Sequence, residues 1–293
     1  MDIIRIVHIS DIHFWKYPAN PLHLFNKRMV GVTALALGRA SRFRLDRVAS
    51  LVERVKQLDP DHLLITGDLT TTALDVEFQE ARHALEDWLR PGKVSILPGN
   101  HDRYTGESLR TRRFERYFGE FAPSKSFPWL RWIDGQTGIL ALDPTRPALT
   151  AHGLLPHSQL EVAKSLIADA TCRPRRLLIA CHYPLAAPSE YSKDLERKSL
   201  RNADVVRDWL KGIGPHIYCC GHVHAPWALV SDDLPNQLCL NAGAPLIEDH
   251  KKGARAGFLE ILLDGDDVTV IHHNWMNHGW SSRTIFGRPG FFA

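Results

Sequence analysis

Five times along this chain a short apolar run stops at a turn and hands over to Asp, Asn or His. Ile3 to Ile9 ends in Ser10-Asp11-Ile12-His13, and His62 to Thr66 ends in Gly67-Asp68. Val94 to Leu97 ends in Pro98-Gly99-Asn100-His101-Asp102, Leu177 to Cys181 in His182-Tyr183-Pro184, and Ile217 to Cys220 in Gly221-His222-Val223-His224. Each run has the length of a buried strand, and Pro and Gly break regular structure. One such end reads equally well as a hydrogen-bonded turn, because Asn and Asp form turns readily. Five in one chain do not follow from packing alone. They put Asp11, His13, Asp68, Asn100, His101, His182, His222 and His224 at the carboxyl ends of strands, where α/β proteins build their sites.

Helical patterns separate the first runs. Val48, Leu51, Val52, Val55 and Leu58 make one apolar stripe over 45–58, and Phe78, Ala81, Leu85, Trp88 and Leu89 make another over 73–89. The order βα, βα, β predicts an α/β fold with parallel strands. A short helix is expected over Glu107 to Phe118, two short strands over Arg131 to Leu142, and helices over 157–168 and 202–211. From Trp227 onward the pattern changes to short strands with tight turns such as Asp264-Gly265-Asp266, which predicts a mixed second sheet. The last stretch, Trp275 to Ala293, is aromatic and lacks periodicity, so a covering or loosely ordered tail is expected.

The stretch from Phe14 to Leu45 has no acidic residue, while Lys16, Lys27, Arg28, Arg39, Arg42 and Arg44 are basic. Leu22, Phe25, Met29 and Val32 recur at three or four residues, which predicts a helix in part of it. Such a basic amphipathic segment either caps the core with a solvated face or meets a membrane surface or an anionic, lipid-like substrate.

The whole-chain net charge of +3 over 293 residues is too small to argue for nucleic acid. Five cysteines, odd in number and without CxxC spacing, point to reduced, buried thiols. No signal peptide and no run long enough to span a bilayer are visible, so a cytoplasmic protein is expected.

Asp11 and His13 are two residues apart, as are His222 and His224. In extended backbone, residues so spaced point to one side, so each pair can reach a common point. Imidazoles and carboxylates without thiolates suit a divalent ion such as Mn, Fe, Zn or Co. Four imidazoles, two carboxylates and an amide exceed the needs of one tetrahedral ion and imply two, with Asp68 free to bridge. Two cations about 3.5–4 Å apart lower the pKa of a shared water and neutralise a phosphoryl oxygen, which is what cleavage of a phosphate ester requires.

The ordered set Asp11-x-His13, Gly67-Asp68, Gly99-Asn100-His101-Asp102, His182 and Gly221-His222-x-His224 resembles the calcineurin-like metallophosphoesterase superfamily. The resemblance spans Asp11 to His224. It implies a four-layer αββα sandwich of two mixed β-sheets flanked by helices. One metal would be held by Asp11, His13 and His224, the other by Asn100, His182 and His222, with Asp68 bridging. His101 would protonate the leaving group or steady the phosphoryl oxygens, and Asp102 would orient it. The expected organisation is a metallophosphoesterase domain over 1–274 with a basic insertion at about 14–45, and an aromatic tail over 275–293.

Gly67-Asp68-Leu69-Thr70-Thr71 lacks the Asp-Arg-Gly of the serine/threonine protein phosphatases, and the export signal of periplasmic nucleotidases is missing. The chain looks like the bacterial phosphodiesterase and pyrophosphatase branch. Phe25-Asn26-Lys27-Arg28 and Thr70 to Phe78 look like the chlamydial-type UDP-2,3-diacylglucosamine pyrophosphatases. The resemblance therefore implies a hydrolase with two divalent ions, Mn first, in which a metal-bridging hydroxide attacks a lipid-linked nucleotide pyrophosphate. Peripheral membrane contact through 22–44 goes with that reading. A small-molecule phosphodiesterase acting on a cyclic nucleotide or glycerophosphodiester is the alternative. A nuclease gripping nucleic acid through Arg110 to Arg116 and Arg173 to Arg176 is another, disfavoured one.

Overall fold

The apolar runs become strands because Val, Ile and Leu pack well on a pleated surface that is covered on both faces. In the computed structural model, which describes residues 3–20, 27–148, 150–168, 173–248 and 256–293, the elements run β1 (Ile4–Ile9), α1 (Arg28–Ala34), α2 (Val48–Leu58), β2 (His62–Ile65), α3 (Asp75–Ala84), β3 (Val94–Ile96), α4 (Gly106–Arg110), α5 (Arg113–Phe118), β4 (Trp129–Trp132), β5 (Thr137–Ala141), α6 (His157–Ala168), β6 (Arg176–Ala180), α7 (Ser192–Lys198), α8 (Ala203–Lys211), β7 (His216–Cys220), β8 (Pro226–Ser231), β9 (Leu234–Ala242), β10 (Gly257–Asp264), β11 (Asp267–Met276) and β12 (Gly279–Arg288).

Two six-stranded mixed sheets result, ordered β12-β11-β10-β1-β2-β3 and β4-β5-β6-β7-β9-β8. β1, β2 and β3 are parallel, as are β5, β6, β7 and β9. Alternation along β1 shows how the layers form. Ile6 faces the core between the sheets with Leu64, Leu178, Ile217 and Ile261, whereas Val7 and Ile9 face α2 and α3 with Leu51, Val55, Phe78 and Ala81. On the far side Leu177, Ile179 and Tyr218 meet Leu160 of α6 and Val206 and Leu210 of α8. This is the expected four-layer αββα sandwich. Cys181, Cys219, Cys220 and Cys239 are buried free thiols inside it. Among the described residues no helix is long and apolar enough to cross a membrane.

Several expectations need correction. The residues from Trp275 on end β11 and form β12, the edge strand of the first sheet, and Phe291 and Phe292 plug the core between the sheets. This tail is therefore part of the sandwich. The helix expected over 107–118 is two, α4 and α5, broken where Arg112 adopts a left-handed conformation at φ 49°. In the basic segment Leu22 and Phe25 lie outside the described residues. α1 is only two turns long and gives way to irregular turns at Gly38, whose φ of 103° suits glycine.

Arg28, expected to meet phosphate or membrane, is buried instead. Its Nε donates to Thr72 O at 3.0 Å, and its guanidinium also reaches Ala73 O, Thr105 Oγ1 and Glu107. Gly31 on the next turn lies so close to Thr72 and the Tyr104 hydroxyl that a Cβ would sit 3.0 Å from each. Farther on, Phe43 pairs with Ile247, and Leu35 and Phe43 pack on Ala244 and Ile247. The segment is thus a cap fastened to the loops that carry the candidate site.

Candidate metal centre

The strand ends converge because their turns are unusual. Asp11, His13, Asp68, His222 and His224 all have φ between 55° and 71°, the left-handed region. Asp and His enter it more readily than most residues, and such outliers cluster at functional sites. The expected meeting of Asp11 with His13 holds, but left-handed turns achieve it, not extended alternation, whereas His222 and His224 part, the first joining Asp68 and His182 and the second joining Asp11 and His13. Close approach of the loops needs glycine. A Cβ on Gly221 would lie 1.9 Å from Ser10 Oγ and 2.5 Å from Asp11 Oδ2, and one on Gly99 would lie 2.1 Å from Asp68 Oδ1.

Each carboxylate is held by one oxygen. His222 N–H donates to Asp11 Oδ2 at 2.8 Å, and His101 N–H donates to Asp68 Oδ1 at 2.7 Å. The other oxygens, Asp11 Oδ1 and Asp68 Oδ2, are buried without a hydrogen bond. An ionised oxygen left so costs several kcal/mol unless a cation meets it. Around Asp11 Oδ1 stand His224 Nε2 at 3.2 Å and His13 Nε2 at 3.7 Å. Around Asp68 Oδ2 stand His182 Nε2 at 3.3 Å and His13 Nε2 at 3.7 Å, so this one oxygen looks toward both groups.

The imidazoles are aimed in the same way. His182 Nδ1 lies 2.7 Å from Thr66 O and His222 Nε2 lies 3.0 Å from Ala151 O, distances at which a ring N–H donates to a carbonyl. That fixes the tautomers and turns His182 Nε2 and His222 Nδ1 toward each other at 3.2 Å. His13 Nε2 and His224 Nε2 face each other at 3.4 Å. Two nitrogens at such distances repel unless a proton or a metal cation lies between them. Asn100 Oδ1 is 3.2 Å from His182 Nε2. Asp11, His13 and His224 form one group able to hold a metal, and Asp68, His182 and His222 a second. The donor set fits two divalent ions.

Electrostatics agrees. Burial favours neutral carboxyls, but His224 and His13 beside Asp11, and His182, His101 and His13 beside Asp68, hold both far below the usual carboxylate range. Burial also opposes charge on His182, yet Asp68 outweighs it and raises this ring to about 9. Burial pushes His224 down to about 4, His101 to about 3 and His222 well below its ordinary value, so these rings keep free lone pairs at neutral pH.

His101 stands beside the groups. Its ring lies edge-on to His13 and stacks on Tyr104, with centroids 4.9 and 5.3 Å away. Its Nδ1 donates to Thr71 O at 2.6 Å, which leaves Nε2 free. The expected bond from His101 to Asp102 gives way to this one. Asp102 instead accepts from the backbone of Gly99, Leu69 and Thr70 and from the Thr70 hydroxyl, tying the Asp68 loop to the Asn100 loop. Burial raises its carboxyl to about 6, with Asp68 adding to the effect.

Sequence reasoning passed over three contributors. Buried Asn241 on β9 donates from Nδ2 to Gly221 O and steadies the His222 loop. The signal was present, since Gln237 to Leu240 is a sixth apolar run ending in a polar residue. Tyr104 backs His101, and Lys198 Nζ donates to His222 O at 2.9 Å. The basic residues considered for nucleic acid are largely spent on carboxylates. Arg113 pairs with Asp75 and Glu107, Arg116 with Asp75, Arg175 with Asp266, and Arg176 with Asp134.

No curated protein matches the chain. Among solved structures it is similar to a dimetal phosphatase from Danio rerio, with a TM-score of 0.64 and 11% identity over 97% of this chain and 99% of that one. It is also similar to a purple acid phosphatase from yellow lupin seeds, with a TM-score of 0.60 and 16% identity over 97% of this chain and 53% of that one. A third likeness is to GAP50, the anchor in the inner membrane complex of Plasmodium, with a TM-score of 0.59 and 10% identity over 98% and 90%. At these identities the likeness is one of fold. The family model described as calcineurin-like phosphoesterase matches residues 4–226, which include both metal-binding groups. This chain belongs to the calcineurin-like phosphoesterases, a family of metal-dependent phosphoester hydrolases.

Proposed function

We propose that the protein hydrolyses a phosphodiester or pyrophosphate bond with two divalent ions, one on Asp11, His13 and His224, the other on Asn100, His182 and His222, and both on Asp68. The observation that carries this reading is the pair of buried carboxylate oxygens, Asp11 Oδ1 and Asp68 Oδ2, that lack hydrogen bonds among inward-facing imidazole nitrogens. Two such ions supply a nucleophilic hydroxide near neutral pH and offset charge on the phosphoryl oxygens. A nitrogen- and oxygen-only donor set suits Mn. His101 does the proton work. With Nδ1 donating to Thr71 O, Nε2 carries the lone pair, so it would first take up a proton released by the attacking water and then hand it to the departing oxygen as the P–O bond breaks and the water-derived oxygen joins phosphorus. Asp102 acts on the loops and positions Asp68 and His101 through the backbone.

The substrate reading leans to a lipid-linked nucleotide pyrophosphate such as UDP-2,3-diacylglucosamine. Its support is the cap, where Met29, Val30 and Leu37 are 58%, 63% and 83% exposed beside the loops of the metal centre. Apolar side chains so placed suit acyl chains or the surface of a membrane that delivers them. The test is hydrolysis of UDP-diacylglucosamine, followed by release of UMP, after chelation and after return of Mn. Mn-dependent release of UMP is expected. Activity that survives thorough chelation would sink the two-metal reading, and cleavage of cyclic nucleotides in place of the lipid would move the substrate to the small-molecule class.

A further inference from the structure

We infer that Lys27 and Arg39 bind a second phosphate of the substrate, the one that is not attacked, and thereby select diphosphate-linked esters over single phosphodiesters. This rests on the hydrolase reading above and adds to it the residues that set its substrate class.

Both side chains belong to the cap, and both reach the metal centre through a ring. Lys27 Nζ lies 4.1 Å from the centroid of Tyr104, and Tyr104 stacks on His101. The Arg39 guanidinium lies 5.7 Å from the centroid of Phe43, and the Phe43 ring is 5.5 Å from that of His13. Aromatic faces orient cations without neutralising them. Among the described residues neither cation has a carboxylate partner, in contrast to neighbouring Arg28, Arg44 and Arg47, which all do. Burial lowers both below their ordinary values, and the charge of Asp68 opposes this in each case, which places both in the field of the metal centre.

Charge balance then points to the ligand. Two divalent ions would consume the charge of Asp11 and Asp68, so that Lys27 and Arg39 face the centre with no carboxylate partner among the described residues. A single phosphodiester brings one negative charge, and the ions claim it. A diphosphate bridge brings a second, one phosphate farther along, where the two cations can pair with it by charge-assisted hydrogen bonds. The anchoring is firm enough for selection. Arg28 is tied to Thr72, Ala73 and Glu107, and Gly31 lies against Tyr104, so the residue just before them is held in place.

The experiment titrates the Mn-loaded protein with methylenediphosphonate, which carries two phosphorus centres, and with methylphosphonate, which carries one. Wild type is expected to bind the first at least about tenfold more tightly than the second, as a charged hydrogen-bond pair contributes. Lys27→Met with Arg39→Met should erase about tenfold of the diphosphonate affinity and much less of the phosphonate affinity, and Lys27→Arg should restore most of it. In turnover, the double variant should raise KM for ADP-ribose far more than KM for bis-nitrophenyl phosphate. Equal weakening of both probes, or no weakening of either, would overturn the inference. Manganese content and melting temperature are measured alongside. Lys27→Met alone decides the matter if the Arg39 variant fails to fold, because Lys27 has no carboxylate partner among the described residues and its ammonium lies over the Tyr104 ring. A wild-type protein that cleaves neither substrate defeats the hydrolase reading, while the titration still judges the two cations.

Discussion

The metal centre and the cap over 27–45 touch the same loops, yet they are built in opposite ways. In the centre the side chains are aimed by bonds to the backbone. Asp11 and Asp68 are each held by a backbone N–H, His182 and His222 face backbone carbonyls, and Asp11, Asp68 and His222 sit in left-handed turns that only a tight surround maintains. The cap is held at a few points: the buried guanidinium of Arg28, the close approach of Gly31, and the contact of Phe43 with Ile247. Between them it leaves Met29, Val30 and Leu37 open to solvent. A centre over-determined in this way can carry one chemistry without variation. A cap fastened at a few points can change its exposed residues and keep its seat. On the reading proposed above, the reaction belongs to the first and substrate choice to the second.

The largest expected effect lies in the centre. Asp68→Ala removes the one oxygen that looks toward both metal groups, and two cations without a shared anion repel each other. Turnover should fall by about 10³-fold or more, with loss of metal measured by elemental analysis. A variant that keeps both metals and most of its activity would show that the bridge is not needed. The next effect comes from His101, which stands beside the two metal-binding groups and belongs to neither. His101→Ala should keep both ions and slow turnover about 10²–10⁴-fold, with a smaller loss for a nitrophenolate leaving group that needs no proton. Loss of metal in this variant would make His101 a ligand.

A third prediction concerns the seam. Glu77, buried at the start of α3, accepts hydrogen bonds from Lys16 N, Thr72 N, Thr72 Oγ1 and Leu74 N, so it joins the start of the basic segment to the Asp68 loop. Burial raises its carboxyl from 4.5 to about 7, against those bonds, which favour the anion. A group raised in the folded state binds more protons folded than unfolded between the two values. Stability should therefore fall as pH rises from about 4.5 to about 7, by on the order of 3 kcal/mol at most. Denaturant melts of wild type and Glu77→Gln across that range isolate the contribution, and a difference that stays flat would mean that the hydrogen bonds keep Glu77 ionised.

The two regions also differ in how far they can be read from sequence. The ligands of the centre are legible because the chemistry demands particular residue types and the fold demands that they follow buried strands. The local geometry is not legible, since left-handed turns at Asp11 and His222 arise from contacts with Gly67 O and Asp11 Oδ2 far along the chain. The partner of His101 was misread for the same reason: Thr71 O comes from another strand end. β12 was missed because an edge strand needs few apolar residues, and its ladder is supplied by β11. In the cap the basic pattern did not separate Arg28, which satisfies carbonyls 44 and 45 residues away, from Lys27 and Arg39, which lie over the rings of Tyr104 and Phe43.

The smallest predicted effect is the one that tests the division of labour itself. Met29 and Val30 are exposed on α1, and neither belongs to the two metal-binding groups. If acyl chains lie across them, each methylene removed from water is worth about 0.8 kcal/mol, and partial burial of two side chains amounts to about tenfold in KM. Met29→Ser with Val30→Ser should then raise KM for UDP-diacylglucosamine by about that factor, while bis-nitrophenyl phosphate, which has no chain to bury, is cleaved as before. Stability should hardly move, because exposed substitutions away from caps and cores usually shift it by less than about 0.5 kcal/mol. Both reactions are measured on one folded variant, with and without detergent. Equal losses on the two substrates would mean that the cap acts through the metal centre. The apolar residues would then have no part in recognition, and a small phosphodiester would become the better substrate.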